Sequence, residues 1–178
     1  MTRGFSLVEV MNFIALAAVL SAIGMYALAR YVRHGKTVEA MESVSRLGTG
    51  AAEYFDASDA TQPAGAAKQD VHAMRHFPPS SRGPVPEDPM SVRGQRYQSN
   101  LADWSGSPWK ELRFSIVQPQ CYQYSFRAEG TGPTAQAVVT AEGDLDGDGR
   151  RSTFSVTVKP DDALSAKVGK LVKQDAEE

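Results

Sequence analysis

Gly4-Phe5-Ser6-Leu7-Val8-Glu9, followed by Val10 to Ala29, decides how the rest of this chain is read. Val10 to Ala29 is a run of twenty residues without a formal charge. Most are apolar; Asn12, Ser21 and Gly24 are exceptions, and Tyr26 lies near the far end. About 20 helical residues at about 1.5 Å each cross a bilayer core of about 30 Å, so a membrane-spanning helix over 5–29 is predicted. The mean hydropathy of all 178 residues is nevertheless −0.34. The remainder is therefore polar enough for a water-facing domain. A secretory signal places its apolar region ahead of the cleavage point and loses it. Here a short basic leader, 1–4, ends in Gly4 ahead of the apolar run, and a cut there leaves that run in the processed chain.

Glu9 needs a separate explanation. A carboxylate in an apolar helix costs about 2.5–3.5 kcal/mol near the bilayer centre and less toward an end, so a partner is expected for it. Arg30, Arg33 and Lys36 follow the span, against Arg3 and the amino terminus before it. Counted alone, these charges place the C-terminal side in the cytoplasm.

Beyond the span, Val38, Met41, Val44, Leu47, Ala51, Tyr54 and Phe55 recur at intervals of mostly three or four. Glu39, Glu42, Ser43, Arg46 and Glu53 fill the other faces, which is the pattern of an amphipathic helix. No proline interrupts Phe5 to Asp56, so a nearly continuous helix of about 75 Å follows, with 30–56 as its stalk. Gly48 and Gly50 read as weak points in it. The stripe requires a cover, and the C-terminal region can supply one.

Residues 57–109 are punctuated by Pro63, Pro78-Pro79, Pro84, Pro86, Pro89 and Pro108, which rule out a long helix and read as a connecting loop. His72 and His76 lie four apart, but no nearby cysteine completes a metal site, and they read as solvated loop side chains. Within 110–160, the stretches 113–118, 121–128, 135–142 and 152–159 read as strands, rich in Val, Ile, Thr, Tyr and Phe. Short connectors favour an antiparallel meander. Trp104, Trp109 and Leu112 are expected as core anchors. The polar end, 161–178, carries Leu164, Val168, Leu171 and Val172 at helical spacing, which predicts a short terminal helix. The expected fold is thus α+β, a long N-terminal helix packed on an antiparallel sheet of about four strands.

Gly143-Asp144-Leu145-Asp146-Gly147-Asp148-Gly149 matches the first half of a calcium-binding EF-hand loop, with Asp144, Asp146 and Asp148 as ligands. The twelfth position from Asp144 is Ser155 rather than a bidentate glutamate, and strands rather than helices flank the loop. A hairpin turn rich in Asp and Gly forms without metal too, so both readings stand, and calcium would be structural where bound.

Cys121 is the one cysteine, which excludes an intrachain disulfide. Its apolar, strand-like surroundings read as a small packed side chain rather than a nucleophile. The sequence contains no Gly-x-Ser-x-Gly, phosphate loop, His-Glu-x-x-His or paired-cysteine motif, so no enzyme is expected. A net charge of −2 without a basic, aromatic-interleaved patch gives no nucleic-acid footprint.

The Gly4-Phe5 junction with Glu9 as the fifth residue after the cut resembles the type IV prepilin leader. Glu39-Ala40 and Tyr54-Phe55 are similar to the pilin stalk, and the acidic turn resembles that closing the last hairpin of some pilin-like proteins. The resemblance implies cleavage after Gly4 and methylation of Phe5 by a prepilin peptidase/methyltransferase. It implies that Glu9 pairs with the free α-amine of a neighbouring subunit's Phe5. The precursor would sit in the inner membrane with its C-terminal domain in the periplasm, against the charge count. An inner-membrane assembly platform would add it to a helical filament of pilin or pseudopilin subunits, a surface pilus or a periplasmic pseudopilus such as that of type II secretion. Tyr26 stands where family members often carry a helix-bending proline, which favours a minor subunit. The opposing expectation is a single-pass membrane protein that never polymerises and whose periplasmic domain binds calcium or a small ligand.

Overall fold

The computed structural model describes residues 6–58 and 75–176. Gly4, Phe5 and His72 lie outside the described residues. The chain divides into two units, Met1–Gly35 and Lys36–Glu178. One helix, α1 (Leu7–Ala57), contributes to both and is an unbroken 51 residues, as the proline-free sequence predicts. In the first unit the apolar side chains of α1 are exposed, among them Phe13, Ile14, Leu20 and Ile23. This helix is long and apolar enough to cross a membrane.

The second unit is an α+β fold built on an antiparallel sheet. Two short strands, β1 (Tyr97–Gln98) and β2 (Pro119–Gln120), pair with each other. The main sheet has five strands: β3 (Gln123–Glu129), β4 (Gln136–Gly143), β5 (Ser152–Pro160), β6 (Ala166–Val168) and β7 (Val172–Gln174). The order is β3-β4-β5-β6, with β7 also on β5, and every pairing is antiparallel. The meander predicted for 121–159 is therefore present.

Period-two alternation sends Tyr124, Phe126, Ala137, Val139, Ala141, Phe154, Val156 and Val158 to one face, where they are buried in one cluster with α1. From α1 come Ala40, Val44, Leu47, Ala51 and Phe55, all with no exposed surface. The stripe is the one read in the sequence at Val44, Leu47, Ala51 and Phe55 and differs at its start, where Val38 is 44 % exposed and Thr37 and Ala40 take the inner positions. Each large side chain buried here, such as Phe55 or Tyr122, contributes about 1.5–3 kcal/mol of transfer free energy. Gly48 and Gly50 are close-approach positions rather than weak points. A Cβ on Gly48 would meet Val156 Cγ1 at 3.0 Å, and one on Gly50 would meet the Leu112 carbonyl oxygen at 2.8 Å.

The structure corrects two expected elements. Residues 113–118 form no strand. Arg113 adopts a left-handed φ of 52°, and Phe114 N–H closes a turn onto Trp109 O at 3.0 Å. The free edge of β3, which such a strand would need, is taken by the chain before it: Ser81 N–H donates to Phe126 O at 2.8 Å, and Val85 and Tyr124 exchange bonds at 2.9 Å. Phe114 instead packs edge-on against Trp104, centroids 5.2 Å apart, beside the Trp104–Trp109 pair at 5.0 Å. Trp104, Trp109 and Leu112 are buried core anchors, as expected.

Nor does the C-terminal segment form a helix. Leu164 has φ 57°, the Asp161 carboxylate caps a turn through Ala163 N–H and Ser165 N–H at 3.0 Å each, and β6 and β7 then satisfy the edge of β5. Completing that edge removes a row of unpaired backbone groups, which outweighs the helical spacing of Val168 and Val172. Both remain exposed, Val172 at 61 %. β6 and the residues after β7 also pin the stalk. Asp56 accepts from Ala166 N–H at 2.9 Å, and Thr37 Oγ1 donates to Ala176 O at 3.2 Å.

From residue 75 on, the connecting region holds more regular structure than its prolines suggest. Pro89–Val92 and Leu101–Trp104 are short 3₁₀ turns whose N-caps, Asp88 and Asn100, accept from Met90 N–H and Ala102 N–H, both at 2.9 Å.

Candidate functional site

Glu9 has a partner within its own chain. Its Oε2 accepts from Ser6 N–H at 2.8 Å and from Ser6 Oγ at 2.9 Å, and Glu9 N–H donates back to Ser6 Oγ at 3.2 Å. This reciprocal arrangement is a capping box, which satisfies donors that the first helical turn leaves open. The carboxylate also sits at the positive end of the helix dipole, where an anion is favoured. Ser6 was therefore missing from the residues singled out above. Its signal was present as Ser6-Leu7-Val8-Glu9, the S-x-x-E signature directly ahead of an apolar run. The acid that looked unexplained in a hydrophobic helix is locally satisfied. The bond to Ser6 leaves Glu9 Oε1 for another donor.

The acidic turn joins β4 to β5, and the hairpin register brings its ends together at Gly143 and Ser152. Asp144, Asp146 and Asp148 are brought together as read: one carboxylate oxygen from each lies within 4.8 Å of the others, with Asp144 buried and the other two exposed. Asp144 organises the turn, accepting from Gly147 N–H at 2.7 Å and Gly149 N–H at 3.0 Å. Gly147 at φ 84° supplies the left-handed step. Asp148 N–H donates to Asp146 Oδ1 at 3.2 Å, and Arg150 N–H to Asp148 Oδ1 at 2.7 Å.

Arg93 completes this site, and nothing in the sequence pointed to it, fifty-one positions ahead of Asp144. Its Nε lies 3.4 Å from Asp144 Oδ2 and donates to Gly147 O at 3.1 Å, while Gly94 N–H donates to Asp144 O at 2.8 Å. Three converging carboxylates suit a hard cation with oxygen ligands, but the guanidinium already supplies positive charge to the most buried of them. Ser155, at the twelfth position, lies half-buried in β5 and offers no carboxylate.

Cys121 is buried and unpaired by any disulfide. Burial, and then the Glu39 carboxylate, push its thiol pKa up, the opposite of what an activated nucleophile requires. Glu39 accepts from Cys121 N–H at 3.2 Å, and burial raises its own pKa above the ordinary value. No protein-family model, no curated protein and no solved structure matches the chain.

Proposed function

We propose that the chain is a structural subunit of a type IV pilus or related pseudopilus, anchored by α1 and polymerised through it. One observation carries this reading: a single helix, Leu7–Ala57, is apolar and uncovered over its first part and is the core element of a sheet-bearing unit over its second. An uncovered apolar surface of that length requires either lipid or the same surface of other subunits, and a subunit that passes from membrane to filament uses both in turn. The leader resemblance supplies the rest. Gly4–Phe5 is the processing junction for a prepilin peptidase/methyltransferase, Phe5 carries the methylated amine, and Glu9 receives that amine from a neighbouring subunit as the filament grows. The precursor would face the periplasm from the inner membrane, with pilin-like subunits and the assembly platform as partners.

Mass spectrometry of the mature chain tests this. The expected N-terminus is N-methylated Phe5; an intact Met1, or cleavage beyond Ala29, would sink the proposal.

The convergence of Asp144, Asp146 and Asp148 supports a second reading, a single-pass membrane protein whose outer domain binds calcium. It is compatible with the first in chemistry and differs in the absence of polymerisation.

A further inference from the structure

A groove of about 400 Å³ lies beside β3, apart from Glu9 and the acidic turn. One wall is the chain that covers the β3 edge. Ser81 and Val85 are bonded to that edge, and the intervening residues stand off it, with open space beside Gly83. Arg82 sits on this standoff and is exposed; Arg127 is exposed on the face of β3 turned from the core. Both line the groove. Neither has an ion pair or hydrogen bond among the described residues. Arg151 also lines it but is engaged by Glu142, at 3.3 Å. Both guanidinium groups line one groove, and Pro84 and Pro86 restrict the backbone that carries Arg82.

The geometry points to a binding site for an acidic saccharide, a ligand with isolated carboxylates set among hydroxyl groups. Arg82 and Arg127 offer planar donor forks that match a carboxylate. Glu87 and Glu142 line the same groove, so a dense run of carboxylates would be repelled, whereas sugar hydroxyls would find acceptors there and at Ser125 Oγ. The groove wall from Phe126 offers no stacking face, because that side chain is 1 % exposed, so recognition is polar. This inference is independent of whether the chain polymerises.

The test is calorimetric titration of the full chain in detergent with tetragalacturonate, with neutral cellotetraose and with inorganic phosphate. Tetragalacturonate should bind saturably and cellotetraose at least about tenfold more weakly, the scale of one lost charge-assisted pair. The Arg82→Gln/Arg127→Gln variant should lose binding by at least the same factor with an unchanged melting temperature. If the double variant fails to fold, each single variant must weaken binding instead. No binding of tetragalacturonate, equal binding of cellotetraose, or binding unaffected by the substitutions would overturn the inference. Phosphate binding as tight as the uronate would overturn it as well, since the groove would then be a site for bare anions.

Discussion

Under the proposed filament reading Glu9 serves a neighbouring subunit as well as the helix that contains it, and one substitution separates the two roles. Glutamine retains an oxygen for Ser6 N–H and can complete a capping box, but carries no charge. If Glu9 acts through its charge on a neighbour's amine, Glu9→Gln abolishes filament assembly while membrane levels of the subunit stay normal. If capping is its whole role, Glu9→Gln assembles like the parent and only Glu9→Ala is weakened, by about 1 kcal/mol of helix stability. Filament yield against membrane-fraction immunoblots reads the difference. Glu39 permits a pH test at the same scale. Burial raises its pKa, so the folded chain holds that proton more tightly than the unfolded chain does. The stability this contributes is complete below the ordinary value of 4.5 and is lost as pH rises through the elevated value. Glu39→Gln keeps an acceptor for Cys121 N–H and removes the buried charge. Its melting temperature should exceed the parent's at neutral pH, and the gap should close on acidification; a constant gap would refute the assignment.

The acidic turn illustrates how far an element is legible. Aspartates at alternate positions with Gly147 between them foretold a tight turn and convergent carboxylates, because those are properties of neighbouring residues. Arg93 could not be foretold, since only the packing of the 89–94 segment against the hairpin brings it to Asp144. Arg93→Ala should destabilise the protein by about 1 kcal/mol, a charge-assisted contact discounted for its partial solvent exposure. If calcium can use the same carboxylates, millimolar calcium should raise the melting temperature of Arg93→Ala more than that of the parent, and chelator should reverse it. No calcium effect on either protein would remove the metal reading. The misread strand at 113–118 has a similar cause. Phe114-Ser115-Ile116-Val117 favours extended chain, yet the β3 edge was already hydrogen-bonded by Ser81 and Val85.

At the scale of the whole molecule, the unit Lys36–Glu178 holds the sheet, the aromatic cluster and the covered part of α1. A chain beginning at Lys36 is therefore expected to fold without detergent and melt cooperatively, as followed by circular dichroism. A broad, non-cooperative transition would show that the core depends on the apolar segment. The sequence by itself determined the long helix, its uncharged run from Val10 to Ala29, the β3–β4–β5 meander and the turn chemistry. Each rests on local periodicity, on missing prolines or on residues a few positions apart. Only the tertiary structure decided that the buried stripe starts at Thr37 and Ala40 rather than Val38, why Gly48 and Gly50 must be small, and that the C-terminal residues complete a sheet. It alone also placed Arg93 on the acidic turn and brought Arg82 and Arg127 to one groove, with no ion pair for either among the described residues. Those outcomes depend on which backbone edges and charges remain unsatisfied after distant segments pack, and that is a property of the assembled fold.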